Sequence, residues 1–126
     1  MPEADIMVRA SHSILVVGDA HAMPPSSMGG MVAAATPDCV AISTLMSDDG
    51  ETRVRVTDRT WPASQRPERL AFKGTIKVAS HILTIEDAEL HRYLEWPVAI
   101  ESVSLQIWIN HPREPDDILI LTGGLD

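Results

Sequence analysis

The chain has 126 residues, of which 44% are apolar and 22% charged, the usage of an ordinary globular protein. We therefore expect one folded domain over residues 1–126, with no membrane span and no secretory leader. Eighteen acidic side chains against ten basic ones give a formal net charge of −8, and phosphate backbones repel such a surface, so direct nucleic-acid binding is disfavoured. The single cysteine, Cys39, cannot form an internal disulfide, which favours a cytoplasmic location.

Strand signals and one long connection occupy the first third of the chain. The stretch "DIMVRASHSILVVG" is rich in β-branched residues, has no helix cap, and predicts one long strand or two short ones. The connection Val16–Ala35 holds Pro24-Pro25 and Gly29-Gly30, which favour a mobile surface loop with a short helical turn through "GGMVAAA". Connections of this length are more often functional than short ones.

Two alternating runs, Cys39–Met46 and Thr52–Thr57, flank the turn sequence "SDDG". Because Gly50 can take the positive φ that a tight turn requires, the two runs predict a β-hairpin. The two prolines in Thr60–Leu70 cannot donate to a strand ladder, so this stretch predicts a loop.

The second half of the chain is again dominated by strand patterns. "KGTIKVAS" and "HILTIED" follow each other with little turn chemistry and predict one bent strand. Ala88–Trp96 is the one stretch with some helical propensity, and Pro97 ends it. In "VAIESVSLQIWINH" apolar residues recur with a period of two and predict a buried face, made of Val103, Leu105, Ile107 and Ile109. The charged turn "PREPDD" leads to "ILILT", which is apolar on both sides and predicts a short final strand that is central or well covered.

These patterns predict an all-β fold of about seven strands with almost no helix. Antiparallel strands with one buried face each must stack as two sheets or close into a barrel. We predict an antiparallel β-sandwich, with a small β-barrel as the alternative.

No complete catalytic or metal-binding constellation accompanies this fold. Asp19 and His21 are two residues apart and could share a ligand, but a metal site needs three or four such groups. Cys39 opens an apolar strand beside Asp38, which would raise its pKa, and is typical of a core residue. Ser26 lacks the flanking glycines of a nucleophile elbow. We therefore predict no catalytic residue, no metal and no cofactor.

Acidic clusters are the most distinctive chemistry of the sequence. Turn acids from separate strand pairs can gather at one end of a sandwich, where carboxylates imitate a phosphate array and attract a basic protein. Trp108 lies on the polar phase of its strand, where it suits an interface with a partner or is covered by a loop or a second copy of the chain. The predicted partner-binding residues are Glu86, Asp87, Glu89, Trp108, Asp116 and Asp117.

The order of strand motifs resembles one known family. "VAISTLM", "VRVT", "TIKVASHILTIEDAE", "EWPVAIESVSLQIWIN" and "ILILT", spanning Val40 to Thr122, are similar to the layout of the DNA-entry nuclease inhibitor (competence protein J) family. The resemblance implies a small, acidic, mostly β protein that docks on a nuclease without catalysis of its own. The sequence departs from the family pattern at Trp96–Ile100, where "WPVAI" replaces a Pro-Gly turn, and no inhibitory residue is carried over.

The sequence therefore predicts a non-catalytic acidic module that binds a basic protein, as an inhibitor or immunity factor for a nuclease-like partner. The alternative is a small β-barrel that binds or turns over a small ligand, with Asp19 and His21 at its mouth.

Overall fold

The computed structural model describes residues 3–58 and 61–123, and the statements below refer to these residues. Ten strands and two short 3-10 turns make up the regular structure, and no α-helix occurs in the described part of the chain. In chain order the strands are β1 Glu3–Val8, β2 Ile14–Asp19, β3 Ala33–Thr36, β4 Cys39–Ser43, β5 Thr52–Thr57, β6 Arg69–Lys77, β7 Ile82–Asp87, β8 Arg92–Pro97, β9 Ser102–Ile109 and β10 Asp117–Leu121.

The strands form two five-stranded sheets that pack face to face. Sheet I has the order β1-β5-β10-β9-β6 and sheet II the order β3-β4-β2-β7-β8. All neighbours pair antiparallel except β5 and β10, which are parallel. The predicted sandwich is confirmed, and because neither sheet closes on itself, the alternative of a small barrel is wrong.

The core lies between the sheets and follows the alternation of the strands. On β9 the apolar residues at every second position are buried, whereas Ser102 and Ser104 are exposed, so the predicted buried face is confirmed. The run "ILILT" forms β10, which lies at the centre of sheet I between β5 and β9. The largest fully buried side chains of this core are Leu15, Ile42, Ile76, Leu83, Ile85, Leu105, Ile107, Ile109, Ile118 and Ile120.

The predicted hairpin between Cys39–Met46 and Thr52–Thr57 is wrong. β4 lies in sheet II and β5 in sheet I, so the "SDDG" turn carries the chain from one sheet to the other. Gly50 does adopt a positive φ of 148°. Turn residues therefore report the local bend, whereas the pairing partner of each strand is set by residues far away in sequence.

Three other element predictions are corrected by the structure. The expected single bent strand is two strands, β6 in sheet I and β7 in sheet II, with the crossing at residues 78–81. Ala88–Trp96 forms the β7–β8 turn and most of β8, and "GGMVAAA" ends in β3 with no helical turn. Thr60, at the start of the predicted loop, lies outside the described residues. Ten strands replace the seven or so that the sequence predicted.

One loop crosses the outer face of each sheet. Residues 61–67, here called the tryptophan loop, lie on sheet I, where Arg55 stands over the Trp61 ring at 5.7 Å and Arg66 over the Trp108 ring at 5.0 Å. Residues 20–32, here called the proline loop, lie on sheet II, where the Met23 carbonyl accepts a hydrogen bond from the Cys39 thiol at 3.4 Å.

No helix among the described residues has the length and apolar character needed to cross a bilayer.

Candidate partner-binding end of the sandwich

Four loops meet at one end of the sandwich: residues 9–13, 44–51, 87–91 and 110–117. The Leu45 amide donates to the Pro115 carbonyl at 2.9 Å, which joins the second loop to the fourth. The Arg9 guanidinium donates to the Ser47 carbonyl and joins the first loop to the second. The Ser11 hydroxyl donates to the Glu89 carboxylate at 2.9 Å and joins the first loop to the third. These contacts make the four loops one continuous surface, here called the acidic end.

The acidic end holds a large excess of carboxylates. Its four loops contain eight acidic residues against two arginines, Arg9 and Arg113. Seven of the eight lie at least partly on the surface, and the eighth, Asp87, is buried. The acidic residues are Asp48, Asp49, Glu51, Asp87, Glu89, Glu114, Asp116 and Asp117. Strands that enter the sandwich at different points of the sequence thus deliver their turn acids to the same place.

Asp87 holds the β7–β8 turn in place from inside. Its carboxylate accepts hydrogen bonds from the amides of Glu89 at 2.9 Å and His91 at 3.1 Å, and from the Tyr93 hydroxyl at 2.8 Å. The Ser11 amide, on the neighbouring loop, donates to it at 3.3 Å. The side chain is fully buried, so Asp87 shapes the acidic end without itself lying on its surface.

These hydrogen bonds also set the protonation of the group. Burial raises the pKa of Asp87, but the hydrogen bonds from Tyr93 and from the amides of His91, Ser11 and Glu89 outweigh it and hold the pKa far below the ordinary value. Burial and the Asp87 carboxylate together raise the pKa of Tyr93 to about 12. Asp87 is therefore a permanently charged acceptor at neutral pH.

The other predicted acids are exposed to different degrees. Glu89 is exposed beside Ser11 and lies 3.7 Å from His12. Glu86 is mostly covered and accepts a hydrogen bond from the Arg92 guanidinium at 2.7 Å. On the fourth loop, Asp116 accepts from the Asn110 amide at 2.6 Å and Asp117 from Arg55 at 2.9 Å. Glu89 and Asp116 are thus the predicted acids most open to a partner.

Trp108 lies on the outer face of sheet I, near the acidic end but under the tryptophan loop. Its indole nitrogen donates to Gln106 at 3.1 Å, and the Arg66 guanidinium covers its ring. The half-exposed ring therefore has a structural partner within the chain, and contact with another protein stays a prediction.

The Asp-x-His pair, with Asp19 at the end of β2 and His21 in the proline loop, lies at the opposite end of the sandwich. Asp19 accepts hydrogen bonds from the Ser80 hydroxyl at 2.6 Å and the His21 amide at 3.1 Å. Burial raises the pKa of Asp19, but these hydrogen bonds outweigh it and leave the pKa below its ordinary value. No group of three or more metal-ligating side chains occurs in residues 3–58 and 61–123. Asp19 thus holds the turn after β2 and connects it to the β6–β7 crossing through Ser80.

One feature of the site was missed by the sequence reasoning. The proline loop and the β7–β8 turn enclose an apolar pocket of about 200 Å³ on the outer face of sheet II. Leu90, whose side chain is 72% exposed, borders it with a positive φ of 66°. The sequence signal for this pocket was the set of apolar residues in "AHAMPPSSM", because apolar residues grouped in a loop indicate packing or a binding surface.

No family model and no curated protein matches the sequence. Among solved structures the chain is similar to ComJ from Bacillus subtilis, an inhibitor of the DNA-degrading activity of NucA, with a TM-score of 0.69 and 13% identity over 97% of this chain and 96% of that one. The resemblance seen in the strand layout is thereby confirmed at the level of the fold, and the chain shares the architecture of a nuclease inhibitor over nearly its whole length.

Proposed function

We propose that this protein is a non-catalytic inhibitor that binds a basic nuclease through its acidic end. The observation that carries the proposal is the excess of eight carboxylates over two arginines in four loops that meet at one end of the sandwich. The similarity to ComJ supports the same conclusion, because that fold is known in an inhibitor of a DNA-degrading enzyme.

The physical basis of inhibition is competition for the DNA-binding groove. Nucleases hold the phosphates of DNA with basic side chains, and a fixed array of carboxylates offers those side chains the same charge. The Asp87 hydrogen bonds and the contacts between the loops hold the carboxylates in place before binding, so less conformational entropy is lost when the partner docks. Charge on this scale also steers a basic partner toward the correct end.

The test begins with the partner. The protein is immobilised, nucleases retained from a lysate of its source are identified by mass spectrometry, and the purified enzyme is assayed on linear DNA with increasing amounts of the protein. We expect stoichiometric loss of DNA degradation, weakened by moderate salt because the contacts are charged. Failure to retain any nuclease, or a retained nuclease that stays fully active at excess inhibitor, contradicts the proposal.

A matched pair of variants locates the interface. Asp48→Asn with Asp49→Asn removes two exposed charges from the acidic end, and Glu3→Gln with Glu101→Gln removes two exposed charges from the opposite end. Since charges at the rim of an interface act mainly on association, the first variant should slow association about tenfold at low salt. The second should bind like the unmodified protein. Equal effects of the two variants would show that net charge acts without a defined surface.

A further inference from the structure

The apolar pocket on sheet II is built from both strand and loop residues. Val16 on β2 and Ala41 on β4 are directly opposite each other and form its floor. Pro24, Pro25 and Met28 of the proline loop cover it, and Ala88 with Leu90 closes the side next to the acidic end. The pocket therefore joins the proposed interface through the β7–β8 turn.

Its size decides between two kinds of occupant. The volume is about 200 Å³, whereas sites for small-molecule ligands usually measure about 300–1,000 Å³. A cavity of about 150 Å³ lined by apolar side chains is enough to hold a benzene ring. The pocket is thus matched to a single aromatic or branched aliphatic side chain.

The charges around the pocket indicate which residues of a partner should flank that side chain. Glu86 lines the pocket, Glu89 lies on the adjoining turn, and Glu95 is exposed on β8. Arg92 is shared between Glu86 and Glu95, at 2.7 Å and 3.0 Å, so negative charge remains in excess around the opening. A segment that brings an apolar side chain between basic neighbours complements this arrangement, whereas an acidic segment is repelled.

One exposed side chain at the opening supports a docking role. Leu90 lines the pocket and is 72% exposed, so it does not owe its position to burial within the chain. Leu90 also holds a backbone conformation with φ of 66° that Leu rarely adopts, and the hydrogen bonds of Asp87 fix the turn around it. The turn therefore presents Leu90 in a fixed backbone conformation beside the pocket, where a partner side chain that fills the pocket would also contact it.

We propose that this pocket receives one aromatic or branched aliphatic side chain of the basic partner, flanked on that partner by Lys or Arg. The proposal rests on the proposed function, because it names the partner surface that meets the acidic end. The acids then set the rate of association, and the pocket sets the rate of dissociation.

The pocket is tested first without any nuclease. The protein is labelled with ¹³C at its methionine methyl groups and titrated with a capped Lys-Phe-Lys peptide, with Glu-Phe-Glu as the matched control. The methyl group of Met28, which lines the pocket, should shift and saturate, whereas that of Met7, on the outer face of sheet I, should not. We expect Glu-Phe-Glu to bind at least tenfold more weakly. Equal shifts for the two peptides, or none at Met28, overturn the proposal.

Variants then connect the pocket to the nuclease. Ala41→Leu fills the pocket from its floor. Leu90→Ser removes the side wall of the pocket at an exposed position, so it serves as the test if Ala41→Leu does not fold. Ile100→Ser is the control, because Ile100 is 67% exposed in the β8–β9 loop, at the opposite end of the sandwich. Leu90→Ser should speed dissociation from the nuclease at least tenfold and leave association nearly unchanged, and Ile100→Ser should change neither.

The outcomes separate this proposal from the proposed function. If no nuclease binds but Lys-Phe-Lys still moves Met28, the proposed function fails and the pocket assignment stands. If the nuclease binds Leu90→Ser as tightly as the unmodified protein, the pocket assignment fails and the proposed function stands. Dimers that sediment as such and become monomers in Leu90→Ser would show that a second copy fills the pocket, which also overturns the proposal.

Discussion

The outer faces of the two sheets are covered by loops of contrasting chemistry. On sheet I the tryptophan loop places Trp61 and Arg66 over the strands, and Leu119 and Leu121 beneath are completely buried although they point away from the core. On sheet II the proline loop has no Trp or Arg; besides His21 and Val32 it contains only Ala, Gly, Ser, Pro and Met, and a pocket remains beneath it.

The outer face of sheet I is covered by packed side chains, whereas the outer face of sheet II keeps an open pocket. Large aromatic and arginine side chains bury much area and stack on each other, so the tryptophan loop completes a second apolar layer. The proline loop, which has no Trp or Arg, leaves the space above Val16 and Ala41 unfilled. Burial on sheet I should therefore contribute to folding, whereas the surface on sheet II is free to serve binding.

The largest expected effect on stability comes from truncating one side chain to alanine on the outer face of each sheet. Leu119→Ala should lower the free energy of unfolding by about 2–5 kcal/mol, because the side chain is fully buried under the tryptophan loop and its removal leaves a cavity. Val16→Ala should cost about 1 kcal/mol or less, because Val16 already borders empty space. Urea denaturation of both variants measures the difference. Equal losses would show that the two faces are equally closed.

A smaller effect is expected at the turn that borders the pocket. Asp87→Asn should cost about 1–3 kcal/mol, since the amide group turns a donor toward backbone amides and the Tyr93 hydroxyl that need an acceptor. Urea denaturation at neutral pH gives the value. Asp87→Glu, which keeps the charge but not the geometry, is the control for charge alone.

The same carboxylate predicts an acid dependence with a definite sign. Because the pKa of Asp87 is lower in the folded than in the unfolded chain, its contribution is complete above the unfolded pKa of 3.8 and is lost as the pH falls toward the folded pKa. Stability should therefore fall more steeply between pH 4 and pH 2 in the unmodified protein than in Asp87→Asn. Parallel acid profiles of the two proteins would assign the acid sensitivity to other carboxylates.

Arg66→Ala tests whether the tryptophan loop closes the outer face of sheet I. It should lower the free energy of unfolding by about 1 kcal/mol, the order of one exposed cation–π contact. It removes the guanidinium from the Trp108 ring and the hydrogen bond to the Trp61 carbonyl at 2.9 Å. Hydrogen exchange should become faster at the β10 amides beneath the loop and stay unchanged in sheet II. Faster exchange in both sheets would mean that the loop supports the whole fold.

The smallest expected change is at Leu90. Leu90→Asn should raise the free energy of unfolding by about 0.5 kcal/mol or leave it unchanged, because Asn tolerates a positive φ better than Leu and little burial is lost. Thermal unfolding at fixed pH is the measurement. A loss above about 1 kcal/mol would show that Leu90 packs against the pocket wall as part of the fold.

The sequence predicted which face of a strand is buried better than it predicted which strands pair with each other. The alternation in β9 depends only on which neighbours are apolar, and a period of two fixes the buried face wherever the strand lies. The hairpin across Gly50 failed because sheet membership depends on contacts with β2 and β10, which the local pattern does not contain. Helical propensity in Ala88–Trp96 was outweighed by strand pairing with β7.

The candidate site divides in the same way. Acidic turns were visible as "SDDG", "EDAE" and "PDD", and a sandwich has only two ends at which its turns can lie. That Asp87 is buried was not visible, because its donors come from Ser11 as well as from its own turn. The pocket was hidden for a similar reason: its floor joins Val16 and Ala41 across two strands.

The central position of β10 bears on how the protein emerges from the ribosome. Every strand of sheet II lies between Ile14 and Pro97, so that sheet can complete its pairing while sheet I still lacks β9 and β10. At translation rates of about 5–20 residues per second, residues 98–121 take about 1–5 s to synthesise. Until β9 and β10 join the β1–β5 pair to β6, the apolar inner face of sheet II has only an incomplete opposing sheet, and the unfinished chain is prone to aggregation.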